Sequence, residues 1–217
     1  GCDKGYQTPL GVCELDQELA TMLRVAIGDK LFEHRYDHER EHSIELQMLW
    51  IQHIFGKDSS GMFPRVFGAL VHDPVANNGE SYDGTGVAFE PFVSAMKDAV
   101  SRLPGRTLLI SSADLSHCGP AFGDEHPLAG DDEQTTQARN SILQHDMQML
   151  EYVQKNKPAD LIGAMAWQQN HTRWCSIGSI CAALKVVEPT EIKLLNYAAA
   201  MDQQGVTLVS HAAMAMW

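Results

Sequence analysis

Basic residues are scarce in this sequence. Lys and Arg number 16 against 28 Asp and Glu, the formal net charge is −12, and no basic cluster stands out along the chain. A protein that tracks nucleic acid needs a Lys/Arg stripe to displace counterions from phosphate, so no nucleic-acid partner is expected. Long apolar runs are missing as well. The run near Leu46 falls far short of the roughly 20 residues that a bilayer span requires, and no signal-peptide pattern opens the chain, so no membrane association is expected. Cys-x-x-Cys pairs are absent, and the five cysteines (Cys2, Cys13, Cys118, Cys175 and Cys181) are odd in number and irregularly spaced. That pattern argues against a disulfide scaffold and for a reducing, cytoplasmic compartment. The sequence also lacks a Gly-rich phosphate loop and a G-x-S-x-G elbow. It has no initiator Met and opens at Gly1-Cys2-Asp3 without the punctuation that precedes a first element, so an upstream segment is expected.

What is present suffices for a folded core. With 217 residues, 44% of them hydrophobic, the chain can bury its apolar surface in one core, or at most in two small ones. Helical spacing of apolar residues predicts helices over 16–27, 44–55, 89–103, 133–154 and 159–168, with a small-residue helix within 174–187. The 44–55 helix has an apolar face wide enough to be largely buried. Short, nearly continuous apolar runs at 66–71 and 107–112 read as inner strands covered on both faces, and 194–198 and 206–216 read as closing strands. Alternating strands and helices predict an α/β fold, a single domain over residues 1–217 with a mixed, largely buried sheet flanked by helices. In such sheets ligands collect at the carboxyl ends of strands, which directs attention to the residues after Ser112.

There, Ser111-Ser112-Ala113-Asp114-Leu115-Ser116-His117 sets a carboxylate and an imidazole three residues apart. His117 reads as a general base or metal ligand with Asp114 fixing its tautomer, or else as an interior histidine beside a turn-capping aspartate. Glu41-His42-Ser43-Ile44-Glu45 opens the second helix, where the helix dipole opposes protonation of His42 and Glu45 lies about one turn further on the same face. The alternative is a solvated, acid-rich helix start. Cys175 follows Arg173 near another helix start, a setting that lowers a thiol pKa and suits a soft metal ligand or nucleophile, although a lone cysteine is commonly just a small buried side chain. Cys118 adjoins the His117 turn and stays ambiguous. His34, His38 and His42 recur every four residues, but the segment between them has no core stripe and no fourth ligand at a structural-zinc spacing.

Glu41-His42-Ser43-Ile44-Glu45, Ser112-Ala113-Asp114-Leu115-Ser116-His117, Trp174-Cys175-Ser176-Ile177-Gly178 and Leu195-Asn196-Tyr197 occur in an order that resembles the MEMO family. The similarity is to its bacterial members, described as AmmeMemoRadiSam system protein B, and extends from about Tyr6 to the Val209-Ser210-His211-Ala212-Ala213 stretch. The resemblance implies a fold shared with the class III extradiol ring-cleavage dioxygenases. It also implies a site with two histidines, in a Pro-His-Ala-Gly and a Gly-x-x-His segment, together with the cysteine that Cys175 matches. In the family both segments lie near the N-terminus, and neither opens this chain, so the expectation is a domain lacking the family's N-terminal strands and two of its metal ligands.

The function so implied is that of a non-heme iron- or copper-dependent oxidoreductase acting on a small molecule. Imidazole and thiolate donors suit these metals better than magnesium or calcium. Cys175 would be a metal ligand, His117 the proton acceptor paired with Asp114, His42 a second polar wall and Glu45 its orienting group. Against dioxygenation stands a cysteine in place of a carboxylate ligand. The rival is a binding module without turnover, in which the same cleft takes a small molecule or a peptide.

Overall fold

The computed structural model describes residues 1–81 and 83–217. The fold class is α/β, and the chain divides into two compact units, Gly1–His72 with Gly79–Ser112 and Asp73–Asn78 with Ala113–Trp217.

In the first unit, β1 (Tyr6–Thr8) and β2 (Gly11–Cys13) pair antiparallel. Helix α1 (Gln17–Ile27) starts where the Asp16 carboxylate accepts the Leu19 amide at 3.0 Å, which satisfies one of the donors that a helix start leaves open. It stops at Gly28, whose φ of +78° suits a residue without a Cβ. Leu19, Ala20 and Leu23 share one face of α1 and pack against α3 (Phe89–Arg102), which presents Phe89, Val93, Met96 and Ala99. Burial of each large apolar side chain contributes roughly 1.5–3 kcal/mol. Helix α2 (His42–Phe55) packs on β1. Its Gln52 amide is buried but satisfied: the Thr8 hydroxyl donates to Oε1 at 2.5 Å, and Nε2 donates to the Gly11 carbonyl at 3.1 Å.

Helix α2 departs from the expectation of a largely buried apolar face. Met48 and Gln52 are its buried residues, whereas Leu46, Trp50 and Ile54, spaced by four, form an exposed apolar stripe. The runs at 66–71 and 107–112 also differ from the strands expected of them. Val66 forms an isolated parallel bridge with Leu15, and the Cys2 amide bonds the Gly68 carbonyl at 2.9 Å, but 66–71 contains no strand. Among the described residues the backbone of 107–112 bonds no other backbone segment, and the side chains of Leu108 and Ile110 are exposed. Apolar, β-branched composition expresses a preference for a covered strand and cannot supply the neighbour whose N–H and C=O groups complete it. The mixed, largely buried sheet is accordingly replaced by antiparallel ribbons, with parallel pairing confined, among the described residues, to the bridge at Val66.

The second unit is built on a sheet of order β3-β5-β4, antiparallel throughout, from β3 (His117–Cys118), β4 (Ile192–Met201) and β5 (Leu208–Met216). The β4–β5 register shifts between Leu194 and Asn196, so Leu195 is an extra, unpaired residue. Helix α4 (Glu133–Gln154) is capped by Asp132, which accepts the Thr135 amide at 2.9 Å, and it packs against β4 and α5 (Pro158–Trp167). Proline at the start of α5 costs nothing there, since its missing N–H would be unpaired anyway. Helix α6 (Ile177–Val187) packs on α5 and buries Ile177, Gly178, Cys181, Ala182, Ala183 and Leu184. Its small side chains let the two backbones approach.

Gly205 lies in the β4–β5 turn at a φ of +67° and accepts the Leu128 amide at 2.7 Å. A Cβ at this position would meet the backbone nitrogen of Ala129. Gly205→Ala is therefore expected to destabilise the protein by at least about 2 kcal/mol through strain and overpacking together. Urea unfolding monitored by circular dichroism checks this, and an unchanged midpoint would contradict it.

Candidate functional site

His117 opens β3 and is held from several directions. Its amide donates to the Thr172 carbonyl at 2.8 Å, and its ring edge rests against Phe122 at a centroid distance of 5.2 Å. Nδ1 lies 3.1 Å from the Leu115 carbonyl and 3.1 Å from the Arg173 carbonyl. Carbonyl oxygens only accept, so Nδ1 carries the proton of the neutral ring and Nε2 keeps a lone pair. Asp114 does not set this tautomer, as the sequence had suggested. Its Oδ2 stands 3.8 Å from the other nitrogen, Nε2, where a carboxylate stabilises the imidazolium once a proton has arrived. Asp114 is half exposed, at 53% of its side chain, against 18% for His117, so the pair opens to solvent on the carboxylate side.

Cys175 reaches the same place from the segment before α6, its Sγ donating to the Asp114 carbonyl at 3.5 Å. Asp114 thus gathers the site: the carboxylate meets His117 and the main-chain oxygen meets Cys175. The Arg173 guanidinium donates to Asp124 at 2.6 and 3.4 Å and to the His117 carbonyl at 3.0 Å. Burial of Asp124 opposes ionisation, yet this fork and the Gly119 amide hold its carboxyl below the usual carboxylate range.

One residue essential to this geometry was not singled out from the sequence. Asp146, in the middle of α4, is fully buried and accepts four side-chain hydrogen bonds: from Ser116 at 2.5 Å, Trp174 Nε1 at 2.7 Å, Tyr197 at 2.6 Å and Ser210 at 2.5 Å. Ser116 directly precedes His117 and Trp174 directly precedes Cys175, so one carboxylate anchors the approaches to both. Burial, and next the Asp146 carboxylate, raise the Tyr197 pKa, which keeps its hydroxyl a donor. The available signal was a carboxylate on the same α4 face as Met149, Leu150 and Val153, since an acid in a core stripe demands donors.

His42 and Glu45 belong to the first unit. The His42 side chain is 80% exposed, and its near carboxylate is Glu41, with Nδ1 and Oε1 3.4 Å apart. Glu41 also caps α2 by accepting the Ser43 amide at 2.7 Å, and this bond holds its carboxyl below the usual range. Glu45 is exposed and lines a small cavity of about 260 Å³ with Tyr6, Arg35 and His38. The carboxylate that accompanies His42 is thus the preceding residue, because capping turns Glu41 inward at the helix start. His34, His38 and His42 go to three different partners: Asp83, Tyr6 and Glu41. Burial pushes His38 down to about 4, and with His34, Glu41 and His72 it lines an open cavity of about 740 Å³.

Among the described residues no three His, Cys, Asp or Glu side chains come together as a set that could hold a metal ion. The donors present do not by themselves fit iron or copper, since a lone thiol and a neighbouring imidazole cannot fix a coordination geometry.

The family model described as Memo-like protein matches residues 2–216. The chain belongs to the Memo-like family. MEMO1 family proteins of Caldivirga maquilingensis and Methanopyrus kandleri are 26% and 27% identical to it over 98% and 94% of this chain. A third, from Thermococcus onnurineus, is 24% identical over 91% of it. The chain covers 64%, 60% and 62% of these three relatives, less than two thirds of their length.

In this Memo-like chain the cysteines separate cleanly by environment. Cys2, Cys13, Cys118 and Cys181 are buried and Cys175 is exposed. Burial pushes the Cys118 thiol up to about 11, helped by the nearby Asp124 charge, so this thiol is inert at neutral pH. Brief treatment of the folded protein with iodoacetamide should label Cys175 first, by at least about tenfold in rate over Cys118. Peptide mass spectrometry reads the order, and equal labelling of Cys118 would refute the assignment.

Proposed function

We propose that this Memo-like chain uses His117 and Asp114 for proton transfer to and from a small organic substrate, with Cys175 as a soft donor beside them, in an oxidoreductase related to the extradiol dioxygenases. The observation that supports this reading most is the placement of His117 Nδ1 at 3.1 Å from two carbonyl oxygens, which assigns the ring proton to Nδ1. Its Nε2 has a lone pair ready to accept a proton from an acidic O–H or C–H group. Asp114 at 3.8 Å then stabilises the imidazolium, while Nδ1–H stays on the Leu115 and Arg173 carbonyls and the ring need not turn. A base positioned this way accelerates proton transfer by about a hundredfold or more. Cys175 supplies a soft donor beside the base. Iron or copper, the metals the resemblance implies, would take Cys175 as one ligand and would require more ligands than the described residues gather.

A second reading, a small-molecule or peptide binding module without turnover, is favoured by the open cavity of about 740 Å³ lined by His34, His38, Glu41 and His72. The two readings separate on hydrogen–deuterium exchange into a panel of small carbon acids, a proton transfer that needs no bound metal, measured alongside equilibrium binding of the same compounds. Turnover that His117→Ala lowers by at least about a hundredfold, with stability changed by no more than about 1 kcal/mol, supports catalysis. Binding without exchange supports the module, and full activity in the variant would make His117 structural.

Metal content gives an independent check. After purification with a chelator, these 217 residues are expected to hold far less than one iron or copper per chain by elemental analysis. Tight stoichiometric metal would mean that His34, His38 or Cys118 is a ligand after all.

A further inference from the structure

We infer that Arg173, held by Asp124, is a positioning residue that fixes the ring of His117 in the tautomer with Nε2 unprotonated. The inference rests on the proposal that His117 is the proton acceptor, and it concerns what keeps that acceptor ready.

Arg173 grips His117 at both ends. Its carbonyl lies 3.1 Å from the ring Nδ1, and its guanidinium Nη1 donates to the His117 main-chain carbonyl at 3.0 Å. Together with the His117 amide bond to Thr172, at 2.8 Å, these contacts fasten the start of β3 to residues 172 and 173. The carbonyl reaches the ring because Arg173 has a φ of +60°, the left-handed region that a residue with a long side chain rarely enters. Something must hold it there, and Asp124 is placed to do so. It takes Nη2 on Oδ1 at 2.6 Å and Nη1 on Oδ2 at 3.4 Å, while Oδ2 also receives the Gly119 amide at 2.7 Å. The chain is thereby closed from the turn after β3, through Asp124 and the guanidinium, back to the imidazole.

A plain surface ion pair does not account for this arrangement. The two side chains are 37% and 36% exposed, a setting in which charge attraction alone contributes little. What the guanidinium adds is its fork, which spans a carboxylate and a carbonyl at once, and a lysine ammonium has no such planar fork. Without this hold, the Leu115 carbonyl is the remaining acceptor for Nδ1–H and the preference for that tautomer weakens by the worth of one hydrogen bond.

The test is the tautomer ratio of neutral His117, read from long-range ¹⁵N–¹H correlation spectra of the whole chain, with thermal unfolding measured on each variant. The parent should show predominantly the Nδ1–H form. Arg173→Gln and Arg173→Lys should each shift the ratio toward Nε2–H by about five- to tenfold, and Asp124→Asn, which leaves Arg173 in place with a weaker partner, by a smaller but measurable factor. A merely structural arginine would lower the unfolding temperature and leave the ratio unmoved. A folded Arg173→Gln protein with the parent ratio overturns the inference. Should that variant fail to fold, a parent ratio in Asp124→Asn does the same, and so does a parent in which Nε2–H predominates. Failure of the proton-acceptor reading is distinguishable, because full hydrogen–deuterium exchange activity in His117→Ala would sink that reading without changing the tautomer result.

Discussion

Asp146 carries a charge into the interior of the second unit, and the elements around it are arranged to satisfy that charge. Ser116 and Trp174 serve one carboxylate oxygen and Tyr197 and Ser210 the other, so α4, β4, β5 and the two segments leading to His117 and Cys175 meet at a single group. An ionised carboxylate without donors would cost several kcal/mol in such a place. Each donor is itself fixed by its own element, and none can move away without leaving the charge short of a partner. The network therefore acts less as a source of stability than as a specification of where each segment has to stand.

That specification gives the candidate site its geometry. His117 and Cys175 lie 58 positions apart by subtraction of their numbers in the sequence, yet the residue before each is bonded to the same carboxylate. Asp114 joins them a second time, through its side chain on one side and its main-chain oxygen on the other. An imidazole and a thiol held by two shared residues keep one arrangement without further ordering.

The helices were the legible part of this fold because their signals are local. Asp16 and Asp132 cap the helices that follow them, Gly28 ends one, and the spacing of Leu19 and Leu23 or of Met149 and Val153 marks a buried face. Residues 66–71 and 107–112 carried an equally strong apolar signal, but a strand is completed by its neighbour, and composition cannot say whether that neighbour is present. The site divides in the same way. Asp114 and His117, three apart after an apolar run, could be picked out by spacing. Asp146 offered only the signal of an acid on the core face of α4, and the Arg173–Asp124 pair offered none, since their meaning comes from partners distant in sequence. The left-handed conformation of Arg173 is likewise invisible in a residue type that rarely adopts it.

The extra residue in β4 sets the phase of that strand. Before it, the less exposed side chains are Ile192 and Leu194, at even positions; after it, Tyr197 takes the inward place and Asn196 points outward. A regular strand with the first phase would have aimed Asn196 toward α4 and Tyr197 toward solvent. Leu195 works as a one-letter frameshift in the three-dimensional reading of the sequence. It converts an arrangement in which a phenol would be wasted on water into one in which that phenol serves the buried carboxylate.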